Sequence, residues 1–166
     1  MLEIINNRVF VRFCRFPHSQ IHIRALARQL RVSPPTVLEL AKPLLRRGLL
    51  QRTRMGRSIV LSAVFEEDFI YHKKWANLFL LLDSGLIRKI SGLLPKTIIL
   101  FGSYARGEDH ERSDIDLAVD GEVPFSLAAY ERILHRPIQV HRLGKDVPPL
   151  LLENIREGIL LEGVMA

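Results

Sequence analysis

The stretch of the chain that decides the fold is IILFGSYARGEDHERSDIDLAV, residues 98–119. It opens with a short apolar run rich in β-branched residues, which is typical of a strand buried on both faces. Gly102 and Ser103 follow, and a glycine at this point lets the backbone approach a ligand closely. The amides of the helical turn that begins at Ser103 can point together at a phosphate. The sequence therefore predicts a phosphate-binding turn directly after a buried strand.

A second strand is predicted at residues 113–119, and it carries two acidic residues. Side chains alternate between the faces of a strand, so Asp114 and Asp116 share one face while Ile115 and Leu117 turn to the core. Neighbouring carboxylates repel each other unless a cation lies between them. Oxygen ligands without a nearby Cys or His cluster favour Mg²⁺, which takes its other ligands from water and substrate phosphates. A solvated strand edge is the alternative interpretation, but it leaves the glycine turn unexplained.

Two motifs in this stretch resemble the signature of the DNA polymerase beta nucleotidyltransferase superfamily in its minimal, prokaryotic form. They are FGSYARG and SDIDLAV, with ten residues between Ser103 and Asp114. Residues 154–163 also resemble the closing helix and strand of minimal nucleotidyltransferases, so the resemblance covers residues 94–163. It implies a small mixed sheet flanked by helices. It also implies binding of a nucleoside triphosphate, with ATP favoured, together with Mg²⁺ or Mn²⁺, and transfer of a nucleotidyl group to an acceptor hydroxyl with loss of pyrophosphate.

The resemblance and the chemistry of the side chains together suggest roles. Gly102 and Ser103 would hold the β- and γ-phosphates, and Arg106 would offset their charge. Asp114 and Asp116 would bind one or two Mg²⁺ ions, which polarise the α-phosphate and assist the departure of pyrophosphate. Positioning and charge stabilisation would supply most of the catalytic effect.

Active members of the superfamily usually place a third carboxylate on the following strand, which is predicted here at residues 137–141. The matching position is Gln139, whose amide cannot take a proton from a hydroxyl and is a weaker metal ligand than a carboxylate. His141 lies on the same strand face and is a candidate catalytic base, unless it only caps the strand end. Three more carboxylates lie in the preceding loop, and the sequence does not choose among them: Glu108, Asp109 and Glu111.

The N-terminal part of the chain is strongly basic. Residues 1–65 hold 12 Lys and Arg against two acidic residues, a net charge of +10, whereas residues 66–166 have a net charge of −4. Such asymmetry favours a basic unit that binds a polyanion over an evenly solvated surface. Local patterns predict helices at residues 7–16 and 23–30 and from Pro34 to the C-cap Gly48, followed by a hairpin with strands at 49–54 and 57–61.

This order of helices and basic hairpin resembles the winged helix-turn-helix domains of bacterial and archaeal regulators over residues 6–62. The resemblance implies a recognition helix in the major groove of double-stranded DNA and a wing on the phosphate backbone or in the minor groove. Pro43 removes a backbone hydrogen bond within the third helix and is expected to kink or shorten it. Docking to a protein is the alternative, and the charge argues against it. The candidates for DNA contacts are Thr36, Lys42, Arg46, Arg52, Arg54 and Arg57.

A helical connector is predicted at residues 65–93, where apolar side chains recur at helical spacing. This stripe consists of Tyr71, Trp75, Leu78, Leu82 and Leu86. Residues 76–82 are apolar almost all round, which predicts burial on more than one side, either between the domains or across a homodimer. A homodimer is expected, because DNA-reading winged helices often bind two half-sites.

The predicted fold class is α+β, with a DNA-binding domain at 1–64, the connector at 65–93 and a nucleotidyltransferase domain at 94–166. A composition of 48% hydrophobic and 25% charged residues suits a soluble protein with one medium or two small cores. No apolar stretch is long enough to span a bilayer, and no signal peptide is visible. Cys14 is the only cysteine, which excludes an intrachain disulfide and a multi-thiolate zinc site. A cytoplasmic location is the default expectation.

Two functions remain open from the sequence, which leans towards the first. The first is an enzyme that transfers AMP or another nucleotide to a protein or small-molecule hydroxyl, as the pair Asp114 and Asp116 favours. The second is a DNA-binding regulator whose nucleotidyltransferase-like domain binds nucleotide without turnover, as Gln139 favours. A further possibility is an antitoxin-type partner of a small toxin, which it silences by modification or by binding.

Overall fold

The computed structural model describes residues 1–56, 58–144 and 147–164, so Arg57, one of the predicted DNA contacts, lies outside the described residues. The chain divides into two compact units, Met1–Ala76 and Asn77–Ala166. Each unit combines helices with a sheet, which confirms the predicted α+β class. In the described part of the chain, none of the helices has both the length and the apolar character needed to cross a membrane.

The first unit builds a group of short helices around an antiparallel sheet. Its elements are α1 (Leu2–Ile5), α2 (Arg8–Arg15), β1 (Gln20–His22), α3 (Ile23–Leu30), α4 (Pro34–Arg46), β2 (Leu50–Met55) and β3 (Ser58–Ala63). The strands are ordered β1-β3-β2. The sequence predicts α2, α3, α4 and the β2–β3 hairpin, but it does not reveal α1 or β1. Strand β1 is three residues long and pairs with β3 far along the chain, so it leaves no local pattern.

Helix α4 begins where the sequence predicts. Ser33 Oγ accepts a hydrogen bond from the Thr36 backbone N–H at 3.3 Å, and Pro34 occupies the first turn. The expected shortening at Pro43 is wrong, because the helix continues to Arg46. Fully buried side chains hold this part of the helix in place: Val37, Ala41 and Leu44. Packing therefore outweighs the single backbone hydrogen bond that the proline removes.

Asn7 ties the start of α2 to α4. Its Oδ1 accepts hydrogen bonds from the backbone N–H groups of Val9 at 3.0 Å and Phe10 at 3.3 Å, which makes it an N-cap. Its Nδ2 donates to the carbonyl of Leu40 at 2.8 Å. Asn7 is buried, so loss of its side chain would leave backbone groups without partners away from water.

The predicted connector is two helices rather than one. Helix α5 (Glu67–Asp83) begins in the first unit and ends in the second, and α6 (Leu86–Ser91) follows it. Between them, Gly85 has a φ of +79°, a left-handed conformation that glycine adopts without steric cost. The break between the two helices, which the periodicity does not predict, therefore falls at a glycine in a left-handed conformation.

The buried face of α5 differs from the predicted stripe. Tyr71, Trp75 and Leu82 are 51%, 37% and 47% exposed in the single chain. Burial of residues 76–82 on more than one side, between the domains or across a homodimer, stays a prediction. The positions of α5 that are buried include two polar residues: Phe69, Lys73, Ala76, Asn77 and Leu81. Hydrophobic periodicity cannot find a buried face that carries lysine and asparagine, so it does not reveal this face of the helix.

The second unit is built on a four-stranded mixed sheet. After α6 its elements are β4 (Thr97–Phe101), α7 (Gly102–Arg106), β5 (Ile115–Val119), α8 (Ala128–Leu134), β6 (Ile138–Arg142), α9 (Pro149–Arg156) and β7 (Ile159–Gly163). The strand order is β6-β5-β4-β7, with β5 and β6 parallel and the other pairs antiparallel. The mixed sheet that the resemblance implies is confirmed.

The two faces of this sheet are covered differently. One face belongs to a large apolar core, and as predicted the inward residues of β5 lie in it: Ile115, Leu117 and Val119. The opposite face carries a smaller cluster made of Ile99, Phe101, Ala118 and Ile155, the last of them from α9. Side chains alternate along a strand, so Asp116 on β5 lies on this second, less crowded face.

We expect Asn7→Ala to lower the free energy of unfolding by about 2 kcal/mol, because it removes an N-cap and a partly buried hydrogen bond between two helices. Chemical denaturation followed by circular dichroism measures the change. Asn6→Ala is the matched control, since Asn6 is exposed, and its effect should stay within about 0.5 kcal/mol. Equal losses in the two variants would contradict the role given to Asn7.

Candidate active site

The turn after β4 packs directly against the carboxylate of Asp116. Phe101, the last residue of β4, is paired with Asp116 across the sheet. Gly102 follows with a φ of +76°, and a Cβ added to it would lie 2.5 Å from Asp116 Oδ2. A side chain there would push the carboxylate aside and would also be strained at this positive φ, so glycine suits the position. The predicted phosphate-binding turn therefore begins beside one of the two predicted metal ligands.

The parallel pairing of β5 with β6 gathers polar residues on one face of the sheet. Asp116 is paired with Gln139, and Ala118 is paired with His141. Gln139 Nε2 donates a hydrogen bond to Asp114 Oδ2. His141 Nε2 lies 3.4 Å from Asp116 Oδ1, and the two side chains are 29% and 24% exposed. The structure thus brings together the three residues predicted to be catalytic and the position where a third carboxylate was expected.

His141 is held in place from two directions. Its ring packs against the ring of Phe101, with the centroids 5.2 Å apart and the planes at 62°. Its Nε2 faces Asp116, and in the tautomer in which Nε2–H donates to that carboxylate the lone pair lies on Nδ1. The imidazole is therefore oriented by Phe101 and Asp116.

Arg106 lies at the end of α7 and forms a surface ion pair. Its Nε donates to Glu108 Oε2 at 2.8 Å, and the two side chains are 45% and 51% exposed. An exposed pair of this kind adds little to stability. Arg106 can therefore exchange Glu108 for another anion at small cost.

Asp109 is a buried anchor of the loop before Asp114. Its Oδ2 lies 3.2 Å from Arg136 Nη2, and the two side chains are 1% and 3% exposed. Its Oδ1 accepts a hydrogen bond from Asn77 Nδ2 at 2.6 Å, and the same amide donates to the carbonyl of Tyr104 at 3.0 Å. A buried carboxylate needs such partners to offset its lost hydration. Asp109 is therefore committed to the fold, a role that the sequence leaves open because Arg136 and Asn77 are distant along the chain.

The donor atoms of the site fit an oxygen-seeking cation. Asp114 and Asp116 offer carboxylate oxygens, and Gly102 leaves room beside them that a Cβ would fill. Within the described ranges of the chain, no group of three or more His, Cys, Asp and Glu side chains is placed to bind a metal ion. Mg²⁺ typically takes one or two carboxylates from a protein and completes its shell with waters and substrate phosphates. The residues therefore fit a cation that binds together with a nucleotide.

The predicted DNA contacts that the structure describes lie on the surface of the first unit. Thr36, Lys42 and Arg46 are exposed on α4, and Arg52 and Arg54 are exposed on β2. The structure brings three of them together, because Lys42, Arg46 and Arg52 line one open groove of about 370 Å³. Lys42 Nζ is also 2.6 Å from the carboxylate of its helix neighbour Glu39, which offsets part of its charge. The positive charge that Lys42 brings to this groove is therefore partly neutralised.

Comparison with known proteins bears on the second unit. Residues 84–160 match the family model described as the nucleotidyltransferase domain. The match confirms the coarser part of the resemblance inferred from the two motifs, a nucleotidyltransferase domain in this part of the chain. It contains the glycine turn, both predicted metal ligands and strand β6, and it supports nucleotidyl transfer as the general chemistry of this segment.

The chain is also similar to a protein of Methanocaldococcus jannaschii named "Putative protein adenylyltransferase". The two are 63% identical over 42 residues, which make up 25% of this chain and 41% of that protein. The chain thus covers less than half of the length of this relative. No solved structure gives a significant match.

We expect Asp109→Asn to lower the free energy of unfolding by about 3–5 kcal/mol, because it removes the negative charge that faces the buried Arg136. Urea denaturation of the purified protein measures this loss. Glu108→Gln is the matched control, since it removes a carboxylate from the same loop but from an exposed pair, and it should cost less than about 1 kcal/mol. A loss below that limit in both variants would show that Asp109 does not anchor the loop.

Proposed function

We propose that this protein transfers a nucleotidyl group, AMP in the first instance, from a nucleoside triphosphate to a hydroxyl group of a protein. The observation that carries the proposal is the contact of Gly102 with Asp116, which joins a turn suited to phosphate to a carboxylate suited to a cation. The family match over residues 84–160 supports the reaction class. The name of the relative from Methanocaldococcus jannaschii supports AMP as the group transferred and a protein as the acceptor.

Each residue of the site has a part in this reaction. Gly102 and Ser103 hold the β- and γ-phosphates through their backbone amides, and Arg106 offsets the phosphate charge. Asp114 and Asp116 hold the Mg²⁺ or Mn²⁺ that accompanies the nucleotide. When bound, the ion supplies positive charge that polarises the α-phosphate.

His141 is the proposed catalytic base. The acceptor oxygen forms a bond to the α-phosphorus while the bond from that phosphorus to the oxygen bridging to the β-phosphate breaks, and pyrophosphate leaves. The hydroxyl proton passes to Nδ1 of His141. Asp116 stabilises the resulting imidazolium through Nε2–H, which the 3.4 Å approach of these groups supports.

A second function is favoured by one contact. Gln139 stands where the resemblance implies a carboxylate, and its amide donates to Asp114. This hydrogen bond takes up a carboxylate oxygen that would otherwise bind a cation. Under this alternative, the protein is a transcriptional regulator or an antitoxin-type partner that binds DNA and nucleotide without turnover.

For the N-terminal part, we propose a winged helix at residues 1–64 that binds double-stranded DNA, joined through the connector at 65–93 to a transferase domain at 94–166. The chain order of α2, β1, α3, α4, β2 and β3 and the basic groove beside Arg46 and Arg52 support this. Helix α4 would enter the major groove and the β2–β3 hairpin would contact the phosphate backbone. A homodimer would place two such units on two half-sites.

Labelled ATP, GTP, CTP or UTP with Mg²⁺ or Mn²⁺ tests the enzyme. We expect pyrophosphate release and labelled protein acceptor, and we expect Asp116→Asn to lower turnover by at least about 100-fold, the scale of losing one electrostatic group of an active site. Asp120→Asn is the matched control, because Asp120 directly follows the same strand and lies outside the proposed site. Metal-dependent nucleotide binding without turnover on any acceptor would reject the enzyme in favour of the regulator.

Gln139→Asp separates the two functions further. If the chain is an enzyme that lacks one carboxylate, the substitution supplies a further metal ligand and should raise turnover. If the chain is a regulator, nucleotide binding should change while turnover stays absent. Measuring turnover and nucleotide affinity in this variant therefore distinguishes the enzyme from the regulator.

A salt titration of DNA binding tests the N-terminal proposal. Changing both Arg52 and Arg54 to Ala should reduce the slope of log affinity against log salt concentration by about 0.9 for each phosphate that the hairpin no longer neutralises. The matched control changes Arg132 and Arg156 to Ala, which removes the same charge from exposed positions in the second unit. An unchanged slope in the Arg52 and Arg54 variant would contradict the contact of the hairpin with phosphate.

A further inference from the structure

Strand β6 (Ile138–Arg142) forms one edge of the four-stranded sheet. Just before the strand, the carbonyl of Pro137 accepts a hydrogen bond from Ile115 N at 2.8 Å. Just after it, Leu143 N donates to the carbonyl of Val119 at 2.9 Å. Backbone groups alternate in direction along a strand. The backbone N–H and C=O groups of the odd-numbered residues in this segment therefore point to β5.

The backbone N–H and C=O groups of the even-numbered residues of β6 point away from the sheet. The N–H of Ile138 is met by Glu131 Oε1 at 3.0 Å. In the ranges that the structure describes, the backbone N–H groups of Val140 and Arg142 make no hydrogen bond. An edge strand with unpaired backbone groups is a template for pairing with another strand.

The opposite edge of the sheet, strand β7, is less regular. Its pairing with β4 is irregular, with a register shift between Ile98 and Ile99. The side chain of Glu162 on this strand accepts a hydrogen bond from Ser91 Oγ. A bulge bends and twists a strand and so hinders further pairing. By contrast, β6 pairs with β5 in an unbroken register, and the regular edge is the one that carries His141.

We propose that the protein acceptor adds to β6 as an antiparallel strand and in this way presents its hydroxyl group to His141. The inference rests on the proposed transfer to a protein, and it states how that acceptor is recognised. Two residues of the added segment exchange backbone hydrogen bonds with Val140 and Arg142. The residue between them lies opposite His141 in a non-hydrogen-bonded pair, where the Cα atoms are about 4.5 Å apart.

This register places the acceptor side chain over the site. Opposed residues of neighbouring strands share a face, so the side chain opposite His141 lies on the face that carries Asp114 and Asp116. A Ser, Thr or Tyr at that position brings its hydroxyl to the imidazole. The two residues that pair with Val140 and Arg142 point to the other face, and their side chains cannot reach the site.

The same register predicts a preference for neighbouring residues. A groove of about 490 Å³ continues from His141 on this part of the surface, and its lining includes Leu143, Val147 and Leu151. In antiparallel pairing, the residue two positions before the acceptor residue lies opposite Leu143, and the residue two positions after it lies opposite Gln139. The preferred segment therefore has an apolar residue before the hydroxyl-bearing residue and a polar one after it, each at a spacing of two.

The first arm of the test uses the full-length protein and the peptide Lys-Thr-Leu-Thr-Tyr-Thr-Gln-Thr-Lys, without nucleotide. We expect amide hydrogen exchange, followed by NMR, to slow at Val140 and Arg142 when the peptide binds. A matched peptide, N-methylated at the two Thr residues beside Tyr, cannot donate these hydrogen bonds and should give no protection. Exchanging Leu and Gln in the peptide should weaken binding. Protection by neither peptide, or equal protection by both, would overturn the proposal.

The second arm compares Val140→Pro with Val140→Ala. Proline removes the outward N–H of residue 140 but none of the hydrogen bonds to β5. Alanine keeps the N–H and the hydrogen bonds to β5. We expect Val140→Pro to bind the peptide about tenfold more weakly than Val140→Ala, the scale of one hydrogen bond, with the same affinity for ATP. Equal affinity for the peptide would refute the edge pairing, and the N-methylated peptide decides the question if the proline variant does not fold. Absence of ATP binding in the unaltered protein would instead contradict the proposed function alone.

Discussion

Backbone hydrogen bonds between β5 and β6 fix Asp116 beside Gln139 and Ala118 beside His141, and the rest of the site depends on that register. Because side chains alternate along a strand, a slip by one residue would turn Gln139 and His141 towards the apolar core and leave the two aspartates alone. On the other face, Ile115, Leu117 and Val119 of β5 lie in the core together with Ile138 of β6. Burial of that face therefore excludes a slip by one residue, which would separate the polar groups. The pairing of β5 with β6 thus contributes to the core and assembles the polar site.

The less crowded face of the sheet is where the backbone makes its closest approach to a functional group. Gly102 packs so closely against Asp116 that an added Cβ would lie 2.5 Å from its Oδ2. Phe101, one residue earlier, contacts the ring of His141. The end of β4 thus positions both the turn and the imidazole. The hydrogen bond from Gln139 to Asp114 lies on the same face, at the position where the resemblance implies a third carboxylate. A carboxylate at this position would carry a negative charge and could accept a proton. The amide of Gln139 has a similar size but does neither.

The parts of the structure that the sequence predicts are those encoded by neighbouring residues. The glycine turn, the alternation that places Asp114 and Asp116 on one face, and the cap at Ser33 each depend on a few consecutive positions. The parts that it does not predict depend on distant partners. Strand β1 exists through its pairing with β3, and the buried face of α5 includes Lys73 and Asn77, whose polarity hides it from any hydrophobic pattern. Pro43 does not end helix α4, because packing on the same helix outweighs one missing hydrogen bond.

The buried pairing of Asp109 with Arg136 has a consequence for how the second unit opens. Arg136 lies just before β6, and Asn77 joins the same group from α5. For the loop before Asp114 to detach, a carboxylate and a guanidinium would have to separate inside the protein, a change costly enough to involve the elements that hold them. Most surface loops fray long before the sheets beneath them, at a small fraction of the global free energy. This loop is instead part of the same cooperative folding unit as the sheet, so the predicted metal ligands keep their setting for as long as the sheet itself persists.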